Sequence, residues 1–425
     1  MDLRGKSASA RDSRSAVHLS AEDSLAELSV LAASAGAVVA AQVLQVRGAP
    51  DAATLIGSGK VTELEGLIRL HSATLVIFDI ELSPTQLRNL ERYLDCRVID
   101  RTQLILDIFA RRARTREGQL QVELAQLNYL LPRLAGRGTA MSRLGGGIGT
   151  RGPGETQLET DRRKISRRIK TLEQNLESVR GGRRIQRRQR QSVPLATVAL
   201  AGYTNAGKST LFNRLTGAQV TADSRMFATL DPTVRHITLP SRRRVLLSDT
   251  VGFIRNLPTT LVKAFRATLE EVVEAKLILH VLDASSPDAA EQTAHVQKVL
   301  VEIGVAETPQ LLVLNKIDLL PGDQPPEVVA QEILAETSDL VPKRLAGVSA
   351  RTGAGIDKLL RAIDDLLPLD PVARARFSIP AGDGASLSLI HASAEVLAVQ
   401  YESDVYTVEA MASASLRQRL KAFLI

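Results

Sequence analysis

A phosphate-binding loop is the feature of this chain that points most directly to chemistry. Residues 202–209 read Gly-Tyr-Thr-Asn-Ala-Gly-Lys-Ser, which matches the pattern G-x-x-x-x-G-K-[ST]. The apolar run 195–201 predicts a buried strand before the loop, and residues 210–215 predict a helix after it. In this setting backbone N–H groups and the helix N-terminus surround phosphate oxygens. We therefore expect Lys208 to neutralise the β- and γ-phosphates and the Ser209 hydroxyl to ligate Mg²⁺.

Two later motifs select the base. Residues 315–318 read Asn-Lys-Ile-Asp, an N-K-x-D motif in which Asp318 would accept hydrogen bonds from the guanine N1–H and 2-amino groups. Adenine offers no such pair of donors, and a carboxylate left unpaired against it would cost roughly 1–3 kcal/mol or more. Ser349 and Ala350 match the S-A element, in which a backbone N–H meets the guanine O6. These motifs predict GTP rather than ATP.

A third group of residues should sense the γ-phosphate. Residues 249–252 match D-x-x-G, so we expect Asp249 to hold Mg²⁺ through a water and the Gly252 N–H to bond the γ-phosphate. A threonine between the phosphate loop and this motif should close on Mg²⁺ only when GTP is bound. Thr229 and Thr233 are the two candidates for that switch residue.

Two positions depart from common small GTPases. Phe253 follows the D-x-x-G motif where many of them place a water-orienting glutamine, and a phenylalanine cannot orient water. Unassisted hydrolysis should therefore be slow. Asn205, at the fourth position of the loop, is a candidate ligand for a K⁺ ion that would supply positive charge beside the phosphates. The alternative is that Asn205 only tolerates an unusual backbone angle.

Composition and charge limit the class of protein. The 425 residues are enough for two to four domains, and Cys96 is the only cysteine, which excludes an internal disulfide and fits a reducing cytosol. No apolar run approaches the ~20 residues of a membrane span. The net charge is +7, yet residues 162–190 alone hold twelve Lys or Arg and two Glu. Such a localised charge, with only 3% aromatic residues, favours contacts with phosphates of folded RNA.

The pattern along the chain predicts an α/β protein of several parts. We expect a disordered tail at 1–18, an N-terminal α/β domain at 20–115, a basic helical hairpin linker at 116–192, a P-loop GTPase domain at 193–368 and a small α+β appendage at 371–425.

Local patterns add detail at both ends of the chain. In the N-terminal domain, residues 37–44 predict a strand, and residues 57–60 read Gly-Ser-Gly-Lys. That tetrapeptide is either a second nucleotide site, although Thr54 replaces the first glycine of the pattern, or a turn before a helix. In the appendage, 385–392 predict a strand and 415–424 a helix.

The linker is the clearest architectural prediction. Leucines at 120, 124, 127, 131 and 134 follow coiled-coil spacing, and apolar residues between 158 and 179 repeat it. Residues 136–154, between the two repeats, contain eight glycines, which predicts an antiparallel helical hairpin with a flexible tip. We expect the first helix to end or bend at Pro132. We expect the second helix to have about 26 residues and a length of ~39 Å. The alternative to RNA contact is an interdomain spacer with solvated charges. The predicted RNA contacts are Arg137, Arg143, Arg151, Arg183, Arg184, Arg187 and Arg188.

Several of these segments resemble the HflX family of bacterial GTPases. The resemblance is carried by residues 152–163 (G-P-G-E-T-Q-L-E-T-D-R-R), 202–210, 227–231, 78–84 and 121–127, and it extends over about residues 20–370. It implies binding to the large (50S) ribosomal subunit, splitting or rescue of stalled ribosomes or a part in subunit biogenesis, and hydrolysis stimulated by the ribosome. It also implies ATP hydrolysis by the N-terminal domain of some members, which Gly57–Lys60 does not establish here.

With the resemblance, Thr229 is preferred over Thr233 as the switch residue. The predicted nucleotide contacts are Gly202, Tyr203, Thr204, Asn205, Ala206, Gly207, Lys208, Ser209, Thr210, Phe227, Ala228, Thr229, Leu230, Asp231, Asp249, Thr250, Val251, Gly252, Asn315, Lys316, Ile317, Asp318, Ser349 and Ala350. Lys208, Thr229 and Gly252 are the predicted catalytic residues, and Ser209, Thr229 and Asp249 the predicted Mg²⁺ ligands.

Two other functions stay open at this point. A tRNA-modification GTPase would have a similar phosphate loop, but it usually needs a cysteine near its C-terminus, whereas the single Cys96 lies far from that end. A non-enzymatic RNA-binding scaffold would not need the intact set of nucleotide motifs. We expect a cytoplasmic monomer without a transmembrane segment, and we leave peripheral membrane association open.

Overall fold

The computed structural model describes most of the chain and divides it into two compact units. The described residues are 2–3, 21–134, 153–191, 195–218, 226–227, 232–255, 266–320, 325–335, 344–368 and 370–425. Unit 1 comprises residues 1–179 with 225–227 and 257–265, and unit 2 comprises the remainder. The predicted α/β fold class, with a P-loop GTPase domain, is confirmed.

Unit 1 begins with a small α/β arrangement that precedes two long helices. Its elements are β1 (Asp2–Leu3), α1 (Ala21–Ser34), β2 (Val46–Arg47), α2 (Ser58–His71), β3 (Leu75–Phe78), α3 (Pro84–Leu94), β4 (Arg97–Asp100), α4 (Arg101–Arg112), α5 (Arg116–Leu134) and α6 (Pro153–Gln191), the last of which continues into unit 2. β3 and β4 are parallel. α3 begins at Pro84, because the Ser83 side chain accepts a hydrogen bond from the Gln86 N–H in a capping box and proline is favoured at the first helical position.

Three predictions for unit 1 have different outcomes in the structure. Asp2–Leu3 pairs with Val46–Arg47, which differs from a disordered tail at these two residues. The expected strand at 37–44 does not form: the segment has no strand pairing, and Val38 is 94% exposed. A strand needs a hydrogen-bonded neighbour as well as apolar residues, and this segment and β3 both line a cavity of about 560 Å³. Gly57–Lys60 forms the N-cap and first turn of α2, as the turn interpretation predicted.

The predicted antiparallel hairpin is present between α5 and α6. Leu120 is buried with Leu172 and Leu176, and the Arg168 guanidinium donates two hydrogen bonds, of 2.7 and 2.9 Å, to the Glu123 carboxylate. α5 continues through Pro132 to Leu134, so the proline lies in the last turn described. α6 has 39 residues rather than about 26, which corresponds to a length of ~58 Å.

Unit 2 is built on a six-stranded sheet with the strand order β10-β9-β8-β5-β7-β6, in which only β6 runs antiparallel. Its strands are β5 (Thr197–Gly202), β6 (Thr233–Thr238), β7 (Arg244–Asp249), β8 (Leu277–Asp283), β9 (Gln310–Asn315) and β10 (Leu345–Gly347). Its helices are α7 (Lys208–Thr216), α8 (Arg266–Val273), α9 (Ala289–Glu302), α10 (Pro326–Ala335) and α11 (Ile356–Leu366). The central strands are buried on both faces, as a parallel sheet covered by helices requires.

The C-terminal part of unit 2 is a smaller α+β region with a three-stranded antiparallel sheet. It contains β11 (Val372–Pro380), α12 (Gly384–Ser393), β12 (Glu395–Glu402), β13 (Val405–Ser413) and α13 (Ala414–Arg419). The expected strand at 385–392 is wrong, since this segment is α12. Asp383 caps that helix by accepting a hydrogen bond from the Ser386 N–H, and Ile390 packs into the core below the sheet.

None of the helices described, including the 39-residue α6, combines the length and the apolar content that a membrane crossing requires.

Candidate nucleotide-binding site

The phosphate loop leaves the centre of the unit 2 sheet. β5 lies between β8 and β7, and the loop at its C-terminal end joins it to α7. Two glycines of the loop are required because a side chain at either position would clash with a neighbouring residue. A Cβ on Gly202 would lie 2.2 Å from the Val281 carbonyl oxygen, and one on Gly207, at φ 90°, would lie 2.2 Å from Asn315 Nδ2. The glycines of the motif therefore fix the distance between the loop and its neighbouring strands.

Lys208 is buried and points back into its own loop. Its Nζ donates hydrogen bonds to the carbonyl oxygens of Tyr203 at 2.7 Å and Gly202 at 3.1 Å. Burial lowers the pKa of Lys208 to about 8, against an opposing effect of the Asp249 carboxylate. A bound phosphate would replace these carbonyl contacts and restore the preference for the charged lysine.

We expect nucleotide affinity to fall as the pH rises above about 8, the lowered pKa of Lys208. Phosphate oxygens raise that pKa in the complex, so binding takes up a proton between the two pKa values, and the Kd for GDP should rise by up to ~tenfold per pH unit. Titration with fluorescent GDP between about pH 7 and 9 measures this slope. Lys208→Arg keeps its charge throughout that range and should give a nearly flat profile. A flat profile for the unmodified protein would contradict the lowered pKa.

The two predicted Mg²⁺ ligands described here lie side by side. The Ser209 hydroxyl donates a 2.7 Å hydrogen bond to Oδ2 of Asp249, whose side chain is fully buried at the end of β7. A hydroxyl and a carboxylate are oxygen ligands of the kind that Mg²⁺ prefers. The chemistry of this pair therefore fits a Mg²⁺ ion.

The D-x-x-G segment is attached to the phosphate loop by backbone hydrogen bonds. The Phe253 N–H donates to the Gly202 carbonyl oxygen at 3.0 Å, and the Thr204 N–H donates to the Phe253 carbonyl oxygen at 2.7 Å. A Cβ on Gly252 would lie 2.9 Å from both Lys208 Nζ and Thr204 Cγ2. Gly252 thus lies against the lysine, where a γ-phosphate contact was predicted.

The residues after Gly252 are anchored away from the loop. The Phe253 ring is buried in an apolar cluster with Leu269 and Val296, so it occupies core space instead of facing a nucleotide. The Arg255 N–H donates to the Tyr203 hydroxyl at 3.0 Å, and its guanidinium contacts Asp288 at 3.2 Å. Sequence analysis missed this anchor, because no motif places a buried arginine there.

Asn315 joins the loop to the S-A element. Its Nδ2 donates to the Ala206 carbonyl oxygen at 2.8 Å, and its Oδ1 accepts from the Ala350 N–H at 3.0 Å. Its side chain is only 2% exposed. The neighbouring Arg214 supports the same element, since its Nε donates to the Ala350 carbonyl oxygen at 3.1 Å. The N-K-x-D motif predicted the position of Asn315 but not this bridging role.

The remaining residues that were predicted to contact the base follow the C-terminal ends of β9 and β10. Lys316 Nζ forms a 2.6 Å ion pair with Oδ2 of Asp283, which immobilises the lysine stem. Asp318 lies in a short 3-10 helix with Ile317 and is exposed, so its carboxylate is accessible to a base. Ser349 is fully buried, and its Oγ accepts a hydrogen bond from the Thr352 N–H at 3.0 Å.

Other predicted residues are placed differently or lie outside the description. Asn205 is exposed and has φ 61°, as its alternative role in an unusual backbone angle requires. Phe227 is buried, and its ring packs edge-to-face on Phe109 with centroids 4.6 Å apart, so its side chain serves apolar packing. Ala228, Thr229, Leu230, Asp231, Arg137, Arg143 and Arg151 lie outside the described residues, as do the side chains of Arg183, Arg184, Arg187 and Arg188. His280 in β8 is a buried core histidine, and burial lowers its pKa to about 4.

Protein-family models and solved structures are similar to this chain. Three family models match: "GTP-binding GTPase N-terminal" over residues 22–110, "GTP-binding GTPase Middle Region" over 112–190 and "50S ribosome-binding GTPase" over 197–316. The solved structures similar to this chain include that of a GTP-binding protein from the hyperthermophilic archaeon Sulfolobus solfataricus in complex with GDP. It is 26% identical, covers 81% of this chain and 96% of that chain, and has a TM-score of 0.44.

Two similar proteins with assigned names identify the family. A GTPase HflX from Caldanaerobacter subterraneus subsp. tengcongensis is 46% identical over 404 residues, which are 95% of this chain and 91% of the relative. A GTPase HflX from Escherichia coli (strain K12) is 47% identical over 362 residues, 85% of this chain and 83% of the relative. Because these relatives are more than 40% identical to the chain over most of the length of both proteins, the chain belongs to the HflX family and is a GTPase.

Proposed function

We propose that this GTPase acts on the large ribosomal subunit, and that GTP binding and hydrolysis time its docking and release. The act served would be the splitting or rescue of stalled ribosomes, or a step of subunit assembly. The proposal goes beyond GTP binding and hydrolysis, which family membership establishes.

The observation that carries the proposal is the basic helix α6. It is a continuous helix of 39 residues, or ~58 Å, and residues 162–190 within it contain twelve Lys or Arg against two Glu. A helix of this length that carries such a dense positive charge can enter a space lined by phosphates. The description of the matched family model, "50S ribosome-binding GTPase", supports the large subunit as the partner.

We assign roles to the site residues as follows. Lys208 would exchange its carbonyl contacts for β- and γ-phosphate oxygens, and the Gly252 N–H would bond the γ-phosphate. Ser209 would hold Mg²⁺ directly and Asp249 would hold it through a water; the ion supplies charge neutralisation at the phosphates. Thr229 would close over the same group when GTP is bound.

Hydrolysis by the isolated protein should be slow. The Phe253 ring is buried among apolar side chains and cannot orient a water molecule. The group that completes the site must therefore come from elsewhere, and we propose that the ribosome supplies it or orders it. The tRNA-modification alternative loses support, because Cys96 lies in unit 1 and burial raises the pKa of its thiol, which makes it a poor nucleophile.

The test is the GTPase rate with and without purified large ribosomal subunits. Strong stimulation, on the order of 10²-fold or more as trans-acting activators of GTPases give, would support the proposal. No stimulation at normal GTP affinity would contradict it and would direct attention to tRNA or a protein activator.

Neutralising arginines of the basic helix α6 tests separately whether this helix binds the large subunit. Replacing Arg183, Arg184, Arg187 and Arg188 by Gln should weaken subunit binding on the order of 10²-fold and reduce the slope of log K against log salt by about 3, while the basal GTPase rate stays unchanged. Four exposed arginines elsewhere, Arg69, Arg92, Arg235 and Arg242, provide a charge-matched control when changed to Gln. Equal binding by the two variants would refute the role of the basic helix α6.

A K⁺ ion at Asn205 stays a prediction. Its support is the position of the residue in the phosphate loop and its exposed side chain. Turnover with large subunits should then be several-fold faster in KCl than in NaCl, and Asn205→Ala should remove the difference. Equal rates in the two salts would leave Asn205 with its backbone role alone.

A further inference from the structure

The three-stranded sheet of the C-terminal region has two edges that differ in their cover. At the β11 edge, the end of the chain pairs with the strand: Leu424 forms a bridge with Phe377, and the Ile425 N–H donates to the Arg376 carbonyl oxygen at 3.0 Å. At the β12 edge, none of the described segments pairs with the outer side of the strand. One edge is closed by the chain itself, and the other presents backbone N–H and C=O groups outward.

The open edge carries two partly exposed side chains with large apolar surfaces. Val399 lies opposite Val408 and Tyr401 lies opposite Tyr406, so both side chains point to the face of the sheet that holds the core. The helices do not cover them there, since Val399 remains 45% and Tyr401 55% exposed. These two residues form an apolar row beside a free edge, an arrangement that natural sheets usually avoid.

Irregularities such as β-bulges normally protect an edge strand from pairing with another strand, but they are present in only part of β12. The register shifts between Val396 and Ala398, which places a bulge at Leu397. After the bulge, residues 398–402 pair regularly with β13. This five-residue stretch is long enough for the main chain of an extended segment to add to the sheet.

Charge indicates what kind of segment fits. Residues 395–405 contain three carboxylates, Glu395, Glu402 and Asp404, and no Lys or Arg. Two copies of this strand side by side would bring six carboxylates together without a cation between them, which disfavours self-pairing. A segment with Lys or Arg at its ends and apolar residues on one face would complement both the charges and the apolar row.

We propose that the β12 edge, residues 398–402, is a docking site for an extended basic segment of a partner protein, which adds to the sheet as a fourth strand. Main-chain hydrogen bonds would supply affinity, and the Val399–Tyr401 row with the flanking carboxylates would select the sequence. The inference does not depend on the ribosomal proposal, because it rests on this sheet alone.

A synthetic peptide serves as the probe. Fluorescein-labelled Lys-Val-Thr-Val-Thr-Val-Lys is titrated with the full-length protein and followed by fluorescence anisotropy, beside the same peptide with Glu in place of both Lys. We expect the Lys peptide to bind at least ~tenfold more tightly than the Glu peptide, with salt weakening the former. Amide hydrogen exchange in residues 398–402 should slow in the complex.

Substitutions in β12 test whether the peptide binds at this edge. Val399→Lys should weaken binding of the Lys peptide at least ~tenfold, since it removes apolar contact and adds a like charge. Leu70→Lys is the matched control, because Leu70 is a 74% exposed leucine on α2 in unit 1. Tyr401→Ser is the second edge variant, in case Val399→Lys unfolds the region, and both should keep the basal GTPase rate.

Three results would overturn the proposal. They are no binding of the Lys peptide, equal binding of the two peptides, and binding that neither edge variant weakens. Two further results would overturn it by identifying a different occupant. A dimer that is seen by sedimentation and abolished by Val399→Lys would identify a second copy of this chain. A monomer in which the amides of residues 398–402 are protected from hydrogen exchange without peptide would identify another segment of this chain.

Discussion

Asp318→Asn will lower the affinity for GDP and GTP by about 10²–10⁴-fold. The aspartate carboxylate is predicted to accept two hydrogen bonds from guanine, and hydrogen bonds to a charged group contribute about 1.5–3 kcal/mol each. Asp318 is exposed and lies apart from the protein core, so the substitution should leave the fold intact. Fluorescent-nucleotide binding and thermal unfolding measured on the same sample separate these two effects.

The same variant should gain affinity for a different base. Xanthine carries a carbonyl where guanine has its 2-amino group, and the asparagine amide can donate to that oxygen. We therefore expect xanthosine diphosphate to bind the variant better than GDP does. Asp357→Asn, an exposed aspartate in the first turn of α11, is the control and should bind GDP normally. GDP affinity retained within threefold by Asp318→Asn would contradict the assigned base contact.

Asn315→Ala will weaken both the nucleotide site and the fold around it. The Asn315 amide satisfies the Ala206 carbonyl and the Ala350 N–H in a buried position. Its removal leaves both backbone groups without these partners, at about 1–3 kcal/mol each. We expect nucleotide affinity to fall on the order of 10–10³-fold and the thermal midpoint of unit 2 to drop by several degrees.

Asn89→Ala is a control that distinguishes the loss of a buried asparagine from the loss of an exposed one. Asn89 also donates its amide to a backbone carbonyl, that of Ala53 at 3.0 Å, but this contact is exposed. Asn89→Ala should change stability by only a few tenths of a kcal/mol, because water can replace the lost hydrogen bond. Unchanged GDP affinity in Asn315→Ala would show that the loop and the S-A element do not need their bridge.

Two predictions failed because their outcome depended on neighbours rather than on local sequence. The pattern at 385–392 suggests a strand, yet the Asp383 cap and the packing of Ile390 beneath the sheet make it helix α12. The apolar segment 37–44 has strand-like composition, but the described structure gives it no paired neighbour, and it lines a cavity without regular secondary structure. Strand formation requires a partner strand, which composition cannot reveal.

What the sequence by itself determined is the chemistry at the phosphate loop and the identity of the base. Gly202, Gly207, Lys208 and Ser209 could be recognised without coordinates, because a loop that wraps phosphates tolerates few residue types at these positions. The leucine spacing of the linker likewise predicted the pairing of α5 with α6, since coiled-coil packing depends on a local repeat.

Only the tertiary structure decided how distant segments support that chemistry. The bridge made by Asn315, the anchoring of Arg255 on Tyr203 and Asp288, and the burial that lowers the pKa of Lys208 each join residues far apart in the chain. The same holds for the open β12 edge, because whether a strand lies at an edge depends on which strands the fold places beside it. Motifs report contacts with a ligand, whereas hydrogen bonds and burial between separate elements exist only once the chain has packed.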